Sequence, residues 1–94
     1  MRPAVAAFAE RMEDVLAAND YKGGWADCDY DYLSRKLGEE FAELCREIPG
    51  NSDTGTPFFG RLDAEKRRAI THEAVDLANV CMMIADLCAD EGDR

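Results

Sequence analysis

Residues 70–88 read Ile70-Thr-His-Glu-Ala-Val-Asp-Leu-Ala-Asn-Val-Cys-Met-Met-Ile-Ala-Asp-Leu-Cys88, and this stretch decides the fold. Ile70, Ala74, Leu77, Ala78, Val80, Cys81, Met82, Met83, Ile84, Leu87 and Cys88 cover well over half the circumference of a helix. A helix that apolar packs on more than one side. Glu73 and Asp76 fall inside the same belt, between Leu77 and Val80 on one flank and Met83 on the other. A buried carboxylate costs several kcal/mol unless it is paired or bound to metal.

Working outward, Asp63 caps this helix, which is predicted over 64–89 with Lys66, Arg67 and Arg68 in its first two turns. Residues 4–18 place Val5, Phe8, Ala9, Met12 and Leu16 at spacings of three and four, a second amphipathic helix. A third, over 29–48, aligns Leu33, Leu37, Phe41, Leu44 and Ile48 in one stripe, with Asp29 or Asp31 as its cap. Pro49-Gly50 stops it, and Lys22-Gly23-Gly24 reads as a turn. Residues 49–60 are rich in Pro, Gly, Ser, Thr and Asn and read as a loop; residues 90–94 read as a frayed tail. No strand-like alternation and no repeat is present. The expectation is one all-α domain over 1–94, an antiparallel helical bundle completed by oligomerisation.

Composition agrees. Ninety-four residues with 47% hydrophobic and 33% charged side chains describe a small globular chain that is marginal on its own. Twenty acidic against eleven basic residues leave a formal charge of −9, which disfavours nucleic-acid polymers and anionic membranes as partners. The apolar run 80–85, which no other exceeds, is far short of the ~20 residues that span a bilayer. Apolar residues 4–9 are followed at once by Glu10, Glu13 and Asp14, unlike a signal peptide. Cys28, Cys45, Cys81 and Cys88 form no C-x-x-C pair, so reduced thiols and a cytoplasmic location are expected.

Carboxylates carry the chemical signal. Glu39-Glu40-x-x-Glu43 puts Glu40 beside the Leu37–Phe41–Leu44 stripe, with Glu43 on the next turn. Glu73-x-x-Asp76 repeats the spacing on the last helix. The basic residues at 61–68 mostly precede these carboxylates and are poor one-to-one partners. Two acidic pairs on two packable helices either converge on hard divalent cations or form a solvated face.

The ordered pair Glu39-Glu40-x-x-Glu43 and Glu73-x-x-Asp76 resembles the EExxE…ExxD signature of the all-α, MazG-like nucleotide pyrophosphohydrolases. Asn79, the stretch Lys22-Gly-Gly-Trp25, and residues 76–86 resemble small phage and actinobacterial members. The resemblance covers about residues 8–87. The gap from Glu43 to Glu73 is at the long end of the family range, so the 49–60 loop reads as an insertion that reshapes the pocket. The resemblance implies Mg²⁺, with Mn²⁺ as a substitute, held by Glu40, Glu43, Glu73 and Asp76. It also implies hydrolysis of a nucleoside triphosphate to monophosphate and pyrophosphate by a homodimer or homotetramer. Glu39 or Glu43 is then the group that orients or deprotonates the attacking water. Phosphoribosyl-ATP pyrophosphatase, a relative of similar size, is the alternative substrate assignment, and a non-catalytic acidic helical interaction module is the alternative class.

Other residues have two readings each. Trp25 stacks on a base, or plugs the core or anchors an interface. Lys22, Lys36, Arg61, Lys66, Arg67 and Arg68 contact phosphate or are solvated. Asn79 meets sugar or phosphate, or is a plain polar surface residue. His72 reads as a helix-surface residue. Phe58 and Phe59 pack on a neighbouring subunit or cover the site.

Overall fold

The computed structural model describes residues 1–49 and 59–89. Three α-helices, α1 (Pro3–Ala18), α2 (Tyr30–Glu47) and α3 (Ala64–Cys88), are joined by chain that includes short 3-10 turns at Asp20–Lys22 and Phe59–Arg61. No strand occurs among the described residues. The expected 49–60 loop, Phe58 included, falls almost wholly outside the described residues, as does the 90–94 tail.

Local chemistry sets the helix ends. Pro3 opens α1 at a position whose N–H has no helical acceptor to lose. Asn19 closes it, its side-chain amide donating to the Val15 carbonyl at 2.9 Å. Asp29, not Asp31, caps α2 by accepting the Tyr32 N–H at 2.8 Å; Asp63 accepts the Lys66 N–H of α3 at 2.7 Å. Between α1 and α2 the chain turns at Gly23, whose φ of 87° and ψ of 174° suit glycine almost alone.

α3 is the central element, packed mainly on α2 and also on α1. Glu47 of α2 meets Lys66 near the start of α3, while Glu40, one to two turns earlier, meets Asp76 further along, so these two helices run antiparallel. α1 touches α3 where Met12 accepts a hydrogen bond from Asn79. The core is thin: among the described residues the buried apolar side chains are Leu33, Val75 and Val80. Phe41, expected in the apolar stripe of α2, is 59% exposed, and Glu40 beside it is buried. α2 is therefore rotated so that a carboxylate, rather than an aromatic ring, faces α3. The radius of gyration, 15.6 Å, exceeds the ~12 Å of a compact chain this long.

Candidate metal centre

The inward turn of α2 and the middle of α3 bring Glu40, Glu73 and Asp76 together. One carboxylate oxygen from each lies within 4.8 Å of the others. Glu43, one turn beyond Glu40, lies close enough for its charge to act on both Glu40 and Glu73. Burial, then Glu43, then Asp76 hold the Glu40 carboxyl above the ordinary value of 4.5, with Lys36 pulling weakly the other way. Glu73 is raised in the same manner, by burial and then by Glu43 and Asp76. Four acids therefore share a small, poorly solvated space.

Hydrogen bonding leaves that space short of donors. Lys36 Nζ stands 3.5 Å from Glu40 Oε1; burial of the amine pulls its pKa down, but the charge and hydrogen bond of Glu40, with Tyr32 and Glu39, together outweigh it and the Lys36 pKa rises. Glu40 Oε2 and Glu73 Oε2 are solvent-inaccessible and receive no hydrogen bond. Asn79, 4% exposed, donates from Nδ2 to the Met12 carbonyl at 3.4 Å, which fixes its amide orientation; its Oδ1 is a third buried acceptor without a donor. Native interiors rarely leave such groups unmatched. Oxygen ligands around a small octahedral cation stand about 3–4 Å apart, so the Glu40–Glu73–Asp76 trio fits one with small side-chain adjustments.

Glu40 and Asp76 of the trio, though not Glu73, line a cleft of about 470 Å³ between all three helices, within the usual size of small-molecule sites. Glu40, Asp76 and Asn79 form one wall; Lys22, Trp25 and Lys36 also line it. Trp25 is half-buried, and its Nε1 donates to Asp86 Oδ2 at 3.0 Å, anchoring the segment after Gly23 to the far end of α3. Lys22 is exposed and lies 5.7 Å from the Tyr21 ring centre.

Two of the expected site residues lie elsewhere. Glu39 is exposed, 3.9 Å from Lys36 Nζ, and is not in the trio. Arg61 sits exposed in the turn before α3 and is not among the described residues lining the cleft. Asn79 proves to be buried, which excludes its reading as a surface residue. His72 is exposed as expected, with Nε2 3.3 Å from Asp76 Oδ2. The Trp25–Asp86 bond had a faint sequence signal, an acid set between Ile84 and Leu87 in the apolar belt. Comparison of the chain with protein-family models, curated proteins and solved structures finds no match.

Proposed function

We propose that this chain is a Mg²⁺-dependent nucleoside triphosphate pyrophosphohydrolase of the MazG-like kind, yielding a nucleoside monophosphate and pyrophosphate. The observation that carries the reading is the set of donor-less buried oxygens on Glu40, Glu73 and Asn79, the first two clustered with Asp76, beside a nucleotide-sized cleft that Glu40, Asp76 and Asn79 line. Acceptors without donors call for a cation, and oxygen-only ligands suit a hard divalent one. Glu40, Glu73 and Asp76 would hold it, with Glu43 at the edge. Such an ion supplies charge neutralisation at the phosphates and a more acidic bound water.

The chain's own residues then divide the remaining work. Trp25 and the wall beside Asn79 receive the nucleoside, and Lys36 faces the phosphates. Glu43 is better placed than Glu39 to take a proton from the attacking water, because it abuts the trio while Glu39 faces solvent. The water oxygen bonds to the α-phosphorus, the bond from that phosphorus to the bridging oxygen breaks, and pyrophosphate leaves with the electron pair.

Assembly is part of the proposal. Three buried apolar side chains among the described residues, an exposed Phe41 and an elongated shape are those of a protomer completed by a second copy, as a dimer or tetramer. All four cysteines are unpaired, in keeping with a reducing cytoplasm. No helix among the described residues is long and apolar enough to cross a membrane. Incubation with a panel of ribo- and deoxyribonucleoside triphosphates and phosphoribosyl-ATP tests the reading. Pyrophosphate release that EDTA abolishes is the expected result; silence across the panel leaves the acidic interaction module.

A further inference from the structure

A second cleft, about 690 Å³, lies between α1 and the first half of α3. Arg11 reaches it from α1, Arg67 and Arg68 from α3, and His72 and Asp14 also line it. None of the three arginines has a carboxylate within 4 Å among the described residues, although the chain carries twenty acids. Two lysines behave otherwise: Lys36 contacts Glu40, and Lys66, next to Arg67 in sequence, contacts Glu47 at 2.9 Å. Three exposed arginines thus line one concavity of a strongly acidic protein with their charge unneutralised by a nearby carboxylate. The ligand that relieves this is a compact polyanion with several oxygens, which guanidinium forks recognise best.

Position narrows its identity. His72 lines this cleft and touches Asp76, which lines the other, and Val15 lines both, so the two concavities adjoin beside Asp76. Arg68 precedes Asp76 by eight residues, about 12 Å along the helix, a span that an extended arginine and a triphosphate chain together cover. Trp25, the trio and the arginines thus follow one another along α3. Resting on the hydrolase reading above, we infer that Arg11, Arg67 and Arg68 seat the terminal phosphates of the substrate, the end released as pyrophosphate. Their charge offsets the charge that gathers on the leaving group as the bridging bond breaks.

Calorimetric titration with inorganic pyrophosphate, with and without Mg²⁺, tests this on wild type, Arg11→Ala, Arg68→Ala and the control Arg46→Ala on α2. The expected result is saturable binding by wild type and the control, weakened about tenfold or more by either cleft substitution in both buffers. Thermal melts establish that each variant is folded. No binding by wild type in either buffer, or binding indifferent to Arg11 and Arg68, overturns the phosphate seat. The two readings fail separately. Triphosphate hydrolysis with unaltered KM in Arg11→Ala and Arg68→Ala defeats the seat and leaves the hydrolase. Arginine-dependent pyrophosphate binding by a chain that hydrolyses nothing in the panel keeps an anion site and defeats its role as a leaving-group seat.

Discussion

Glu40 and Phe41 are neighbours in sequence and occupy the reverse of the places their side chains suggest: the acid is buried and the ring is exposed. Apolar periodicity ranks residues by hydrophobicity alone, so it put Phe41 inward and Glu40 at the margin. What it could not contain is the set of acids on α3 that faces the same spot. Raised pKa values make the arrangement testable without substrate. A carboxyl whose folded pKa lies above its unfolded value binds extra protons when folded, so metal-free stability should fall as pH rises from about 4.5 through the raised values. Melts across that range should show a smaller fall in Glu40→Gln and Glu73→Gln than in wild type. At neutral pH each variant should match or exceed wild type by about 1 kcal/mol, since repulsion and desolvation are relieved. An equal slope in all three proteins contradicts the account. Asn79 was legible as polar and in register with Asp76, but its burial depends on α1 bringing the Met12 carbonyl to it.

The helices themselves were legible because their signals are local. Asp29 and Asp63 mark starts that need no tertiary information, and each predicted end lies within one or two residues of the observed one. Asp29→Ala and Asp63→Ala should each cost about 1 kcal/mol by loss of the accepted N–H bond, read as a lowered midpoint in urea. Gly23 carries a different constraint. Its φ of 87° is closed to most side chains, and a methyl group added there meets no neighbouring atom. Gly23→Ala should therefore strain the backbone alone, shifting the Trp25 segment and quenching or moving its fluorescence. An unchanged spectrum and midpoint would show that this turn does not position Trp25. The helix-to-helix rotation was illegible for the opposite reason: it follows from side chains on two elements at once.

At the scale of the molecule, the proposed second copy would cover what the described residues leave thin, three buried apolar side chains and an exposed Phe41. Light scattering at micromolar concentration should give a dimer or larger, and Phe41→Ser should weaken association more than it changes secondary structure. A folded monomer of wild type would contradict the assembly. The central claim, that Glu73 and Asp76 join Glu40 to hold a divalent cation, is tested most directly by thermal melts with and without Mg²⁺. Wild type should gain about 2.7 kcal/mol at a hundredfold excess over Kd, several degrees or more in a chain this short. Asp76→Asn and Glu73→Gln should start at or above wild type in metal-free buffer and respond much less. A wild type unmoved by Mg²⁺, or variants that lose stability and respond to the ion as wild type does, would contradict the claim.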